Sequence, residues 1–288
     1  MDVNTGAAHI CAILNKGTPC LIGRNGTIET QVLSYGPKIE GMRKKLELNA
    51  GVFPSTEESV EAWIRAYKAA LNCIEDEPIV AGWYAPMKLA EERLLNQHCL
   101  SDVYIPLRSL EPYYIPPMMS ALRWTYLLDG KRVAVVTSFA KTVATQVLKG
   151  REIWGDEADT LLPSGTTWIP IQTGYSPELA QGRATWPPEV TCWQDAVAYL
   201  KKKVVDSGAE ACIIGCGGLG MILGAELKKA GLQCIVMGGA IQVLFGIKGR
   251  RWASHDVISK MWTDGWVWPS LEETPGGASA VEGSCYWS

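Results

Sequence analysis

One segment constrains the fold more than any other. Ala211-Cys-Ile-Ile-Gly215 runs into Cys216-Gly217-Gly-Leu-Gly220 and then into an apolar stretch ending near Gly231. An apolar run closed by glycine, then G-x-G-x-x-G, then helix-forming residues, reads as strand, tight turn and helix. A strand apolar at every position is buried on both faces, which is the situation of a parallel sheet covered by helices. The same alternation recurs along the chain. Strands are expected at 18–23, 131–138, 166–172 and 233–237, and helices from about Thr27, over 139–149, 193–207 and 219–230. Ser55-Thr-Glu-Glu58 reads as a capping box for a helix running to about Cys73, and 87–98 as a further helix. Together these predict an α/β chain with a mainly parallel sheet covered by helices.

At 288 residues the chain has room for one large domain or two small ones. The Pro/Tyr-rich stretch 105–117 suggests a division. Residues 1–104 would be an α/β part holding the loop after the first strand and a helical segment. Residues 105–288 would be a Rossmann-like part with an irregular Trp-rich tail, or the two would form one integrated domain. The net charge of −3 argues against a sequence-independent grip on nucleic acid, which needs a basic surface. No apolar run approaches the ~20 residues of a membrane span. Asp2 stands where an export signal would carry basic residues. The nine cysteines are odd in number, with no C-x-x-C pair and no Cys/His cluster, so neither structural zinc nor a disulfide framework is expected. The expectation is a reduced, cytoplasmic chain of open oligomeric state. Twelve Trp and ten Tyr against three Phe favour flat, amphipathic rings, which suit carbohydrate and nucleotide sites as well as cores.

Candidate chemistry sits in the loops after the strands. Gly215, Gly217, Gly218 and Gly220 would let the backbone approach a pyrophosphate at a helix N-terminus. A dinucleotide site also wants an acid about 20 residues on, yet the next strand ends Met237-Gly-Gly239. That counts against NAD and FAD. Gly23, Arg24, Asn25, Gly26, Thr27 and Glu29 follow the first strand. Ser138, Lys141 and Thr142 follow the 131–138 strand, and Gly238, Gly239 and Gln242 the 233–237 strand. Ligands of open α/β sheets bind outside the carboxyl ends of the strands, so these loops could share one crevice. Arg24 and Lys141 would then face a diphosphate. Lys248, Arg250 and Arg251, set between glycines, read either as a phosphate clamp or as a surface basic turn.

Several segments, in this order, resemble a glycosyltransferase-like family of bacterial polysaccharide loci, phages and large viruses. They are IGRNGTIE (22–29), LNAGVFP (48–54), LEPYY (110–114), VAVVTSFAKTVATQ (133–146), ACIIGCGGLGMILGAELKKAG (211–231), GGAIQVLFGIKGRRW (238–252) and the closing WVWPSLEETPGG…VEGSCYW (266–287). Arg24-Asn-Gly26-Thr27-Ile-Glu29 is also similar to the RFGDGE segment of GT-D type glycosyltransferases, but Thr27 stands in place of the Asp. The resemblance implies a Rossmann-like nucleotide-sugar fold and transfer from a donor such as a UDP- or GDP-sugar to a glycan acceptor. It also implies Mn2+ or Mg2+ at Glu29, a requirement that Thr27 puts in question; a metal-free enzyme using Arg24, Lys141 and Lys248 is the other possibility. An inverting transferase needs a general base, for which Glu29 is the first candidate, Asp256 and His255 follow, and Glu111 is third. Two other readings stay open: an NAD(P)-type oxidoreductase, and a catalytically inactive sugar-nucleotide or glycan-binding module.

Overall fold

The computed structural model describes residues 1–74, 77, 79–80, 85–100 and 104–288. Its strands are β1 (Cys20–Arg24), β2 (Ile79–Val80), β3 (Tyr104–Ile105), β4 (Arg132–Thr137), β5 (Thr167–Gln172), β6 (Ala211–Gly215) and β7 (Gln233–Val236). They form one sheet in the order β3-β2-β1-β7-β6-β4-β5, with every pair parallel. The expected α/β, Rossmann-like architecture is therefore the one observed.

The two-residue period of the strands builds two cores. Leu21, Val136, Ile214 and Val236 face the helices Thr27–Tyr35, Glu57–Leu71, Trp193–Asp206 and Gly220–Lys229. Ile22, Val135, Ile213 and Ile235 face the helix Val3–Asn15, a series of short helical turns between 107 and 161, and the C-terminal tail. Each core draws on both halves of the chain, and β1 is hydrogen-bonded to β7. Position 105 is thus no domain boundary: Ile105 pairs within the sheet as part of β3, and Leu107, Leu110 and Trp124 are buried in the second core. The indole of Trp124 donates to the Leu110 carbonyl at 2.9 Å, and the buried Arg123 guanidinium holds the Ile115 carbonyl, Thr160 and Glu157. What reads in sequence as a connector is packed core.

Helix ends follow local chemistry with small differences. The 57–71 helix is capped by Thr56, whose hydroxyl accepts from the Ser59 amide, rather than by a box opened at Ser55. The helix Val3–Asn15 was not among the expected elements, although the sequence carries its signals. Asp2 caps it, and Ala7, Ile10, Cys11 and Leu14 repeat at helical spacing on its buried face.

The connections decide where a ligand can sit. The chain leaves β4 and reaches β5 over the second core, through Phe139, Val143, Ile153 and Leu161. It returns from β5 to β6 over the first core, through the Trp193–Asp206 helix. The two neighbours of β4 are therefore reached across opposite faces of the sheet. Such a switch opens a crevice at the carboxyl ends of the strands.

Candidate functional site

A cleft lies at that switch. Its floor is Ser138 and Phe139 after β4, Thr173–Ser176 after β5, Gly215–Gly217 after β6, and Gly238 and Gly239 after β7. Its walls are Leu48–Gly51, Trp186, Tyr286 and Trp287, and it holds about 780 Å3 of empty space, part of it open to solvent. The glycines make the floor thin. A Cβ on Gly215 would stand 2.9 Å from the Gly238 carbonyl oxygen. Gly217 is left-handed, with φ +57°, and a Cβ there would stand 2.8 Å from the Ala50 carbonyl oxygen. The strand-end loops of β4, β6 and β7 thus converge as the sequence suggested.

Not every residue of those loops reaches the cleft. Of the G-x-G-x-x-G glycines, Gly215 and Gly217 line it. Gly218 turns its carbonyl to the Trp63 indole at 2.9 Å, and Gly220 packs on Val236 at the start of its helix. Lys141 is exposed and paired with Glu272. Thr142 gives both its amide and its hydroxyl to the buried Glu273, which ties the tail to the β4 loop. Neither residue lines the cleft. Gln242 is fully buried and donates to the Tyr286 carbonyl at 3.0 Å. Lys248 lies over the Trp262 ring, 5.3 Å from its centroid, and Arg250 is exposed near the Gly283 carbonyl. The 246–252 segment therefore does not act as a three-cation clamp. Only Arg251 reaches the cleft wall. It donates to the Tyr286 hydroxyl at 2.8 Å, pairs with Glu282 at 2.9 Å and stacks over the Tyr286 ring.

The loop after β1 divides in the same way. Gly23 packs on Met221 within the sheet, and Gly26 and Thr27 start the 27–35 helix. Asn25 is buried, donating to Glu91 at 3.1 Å and accepting from the Tyr67 hydroxyl at 2.9 Å. Arg24 points along the sheet toward the cleft, with a guanidinium nitrogen 3.2 Å from where Gly238 would carry a Cβ. Arg251 stands 3.5 Å from the equivalent point of Gly239. Two guanidiniums thus flank the β7 turn.

The candidate bases occupy different environments. Glu29, third residue of its helix, folds its carboxylate back over Gly26 and is buried, which pushes its pKa up against the opposing pull of Arg24. Glu111 is also buried and raised, and is held by Arg108 with Arg24 in electrostatic reach. Asp256 is exposed. His255 accepts at Nδ1 from the amides of Val257 and Ile258, at 3.2 and 3.3 Å. Backbone amides can only donate, so the neutral ring carries its proton on Nε2 and has no free lone pair for a substrate proton. His255 is thus a cap rather than a base, and burial with nearby Arg108 lowers its pKa.

The metal expectation meets the same geometry. Among the described residues no three His, Cys, Asp or Glu side chains group together, and Glu29 is turned back onto its own helix. With Thr27 in the place of the Asp, these residues do not fit a resident divalent ion.

The raised carboxyl of Glu29 has a consequence for stability. A folded pKa above the ordinary 4.5 means that burial is tolerated best when the group is protonated. Stability from this group is complete below pH 4.5 and is lost as pH rises through the folded value. Glu29→Gln mimics the protonated form, so its melting temperature should match wild type near pH 4 and exceed it increasingly toward pH 8. A constant difference across thermal melts at those pH values would show that the carboxylate is not held against a burial penalty.

The sequence reading missed Asn49, Thr173–Ser176, Trp186 and Tyr286. The carboxyl-end rule, applied to the 166–172 strand as it was to the others, would have found 173–176. The wall residues come from distant segments with no local signal.

Fold and site together define an open parallel α/β protein with a glycine-floored, ring-walled cleft at its topological switch. Compared with known proteins, the chain matches no family model, no curated protein and no solved structure. No described helix is long and apolar enough to cross a membrane.

Proposed function

We propose that the cleft binds a nucleotide-diphosphate sugar and that the protein transfers the sugar to a glycan acceptor, as its resemblance to GT-D type glycosyltransferases implies. The observation that carries this reading is the pair of guanidiniums, Arg24 and Arg251, beside the Gly238–Gly239 turn, behind rather than among the residues that line a ring-walled, glycine-floored cleft. A diphosphate at that turn would lie in the field of two cations, of which Arg251 is shared with Glu282. Charge that develops on the departing nucleotide is stabilised best by such preorganised groups. Glu29 and Glu111, both in electrostatic reach of Arg24, are buried outside the cleft lining, and either would have to turn toward the cleft to meet an acceptor hydroxyl. The protein would do this with its own cations. No acid follows the β7 strand to hold a ribose of a dinucleotide, which keeps the oxidoreductase reading second.

A thermal-shift panel tests this directly, because a ligand that binds only the folded state raises its melting temperature by mass action. UDP- and GDP-sugars are compared with NADPH, each with and without Mn2+ or Mg2+. A shift with a nucleotide sugar in chelator supports the reading. A shift with NADPH alone would replace it. In the transfer assay, Glu29→Gln should be folded and inactive. Near-normal turnover would pass the role to Glu111, and binding with no transfer to any acceptor would leave a sugar-nucleotide-binding module.

A further inference from the structure

The C-terminal segment 281–287 stands between Arg251 and the cleft. Val281, Tyr286 and Trp287 are lining residues, whereas Arg251 lies behind Tyr286. The Tyr286 ring covers the β7 turn, with its Cε1 2.9 Å from where Gly239 would carry a Cβ. Arg251 turns its fork onto this segment. One nitrogen donates to the Tyr286 hydroxyl at 2.8 Å and the other to the Glu282 carboxylate at 2.9 Å, with the guanidinium carbon 4.5 Å from the Tyr286 centroid. The turn that presents Glu282 is strained. Glu282, Gly283 and Ser284 follow one another in the left-handed region, at φ +45°, +65° and +67°. L-residues visit that region singly, and such backbone persists only where surrounding contacts over-determine it, characteristically at clamps and switches. Here those contacts flank the turn. Val281, Cys285 and Trp287 are buried, the Cys285 carbonyl accepts from the Arg251 amide at 3.0 Å, and the Tyr286 carbonyl accepts from Gln242 at 3.0 Å. Glu282 itself is exposed, and the ion pair with Arg251 is what the strained turn provides.

We infer that Glu282 is a built-in stand-in for the ligand's anion, and that segment 281–287 is a latch over Arg251. An anion at the Gly238–Gly239 turn takes the place of the Glu282 carboxylate on the guanidinium, and Tyr286 turns aside to let the two meet. On the nucleotide-sugar reading above, on which this rests, that anion is the diphosphate, and the latch regulates its entry. Carboxylate and phosphate suit the same guanidinium fork, so Arg251 stays paired in both states. The left-handed run at 282–284 belongs to the latched state, and its release offsets the loss of the Glu282 pair. A ligand shifts such an equilibrium only through its differential affinity for the two states. The anion has that differential affinity, because it meets an uncovered Arg251 only in the open one.

Calorimetric titration with inorganic pyrophosphate, repeated with UDP, tests the latch. Glu282→Gln removes the competing charge and should tighten both ligands about two- to fivefold, the range for an exposed ion pair. Arg251→Ala should weaken both, and adding Glu282→Gln to it should change nothing further, because the latch has already lost its other half. Ser284→Gly relieves the latched backbone without touching a charge, and should weaken both ligands about threefold. Equal affinity in wild type and Glu282→Gln would overturn the latch while leaving the donor reading intact. So would the same gain from Glu282→Gln with and without Arg251, which would mark a general charge effect. Unchanged affinity in Ser284→Gly would overturn the coupling of the strained turn to binding. If neither wild type nor Glu282→Gln bound pyrophosphate or UDP, the nucleotide-sugar reading would fall, and the latch with it.

Discussion

Trp63→Ala should lower the unfolding free energy by about 3–5 kcal/mol, the range for removing a fully buried Trp. The side chain has no solvent exposure, packs on Tyr67 with ring centroids 5.1 Å apart, and donates its indole N–H to the Gly218 carbonyl at 2.9 Å. It therefore connects the Glu57–Leu71 helix to the glycine turn under the cleft. The cavity left by alanine and the orphaned Gly218 carbonyl act in the same direction. Trp63→Phe separates the two effects. It keeps most of the ring and leaves the carbonyl unpaired, with an expected loss of about 1–3 kcal/mol. Urea unfolding followed by circular dichroism reads both, with the midpoint shifting at unchanged slope. A loss under 1 kcal/mol for alanine would mean that the turn is held by the β6 and β7 backbone alone.

The second large effect falls on stability and binding together. At Gly217 any side chain meets a left-handed backbone and the Ala50 carbonyl at once. The backbone conformation costs roughly 1–2 kcal/mol for an L-residue, and overpacking adds about 1–3 kcal/mol. Gly217→Val should therefore destabilise the fold by several kcal/mol. It should also displace residues 48–51, and with them Asn49, so that UDP affinity falls at least tenfold. Gly208 provides the control. It has φ +67° and lies beside Arg132, at the opposite end of the strands, where the nearest atom to an added Cβ is 3.7 Å away. Gly208→Val should lose stability through the backbone alone and bind UDP normally. If both variants bound normally at a temperature where both are folded, the 48–51 wall would not be part of the site.

The legible and illegible parts of this site differ by range of interaction. Gly215, Gly217, Gly238, Gly239 and Ser138 were readable because a glycine or hydroxyl directly after an apolar strand stands at its carboxyl end in any parallel sheet. Lys141, Lys248 and Arg250 were read as phosphate ligands because they are cations near such loops. Charge in sequence does not say where a long side chain goes. One pairs with Glu272, one lies on Trp262, and one turns outward. His255 shows the same limit at the scale of one atom: two amides on the following turn decide which ring nitrogen is free.

By itself the sequence determined the class of the fold. Fully apolar strands closed by glycine have one way to bury both faces, and helices of the observed length must cover them. It also placed four loops at one end of the sheet. Strand order was beyond it, because a crossover can insert its strand on either side at similar local cost. The tertiary structure alone set β6 between β4 and β7, and so opened the cleft beside β4. It alone brought Asn49, Ser176, Trp186 and Tyr286, from four separate segments, to the walls of that cleft. The Trp excess gained its meaning there. Trp186 and Trp287 line the cleft, whereas Trp63, Trp124 and Trp266 are buried in the cores that support it.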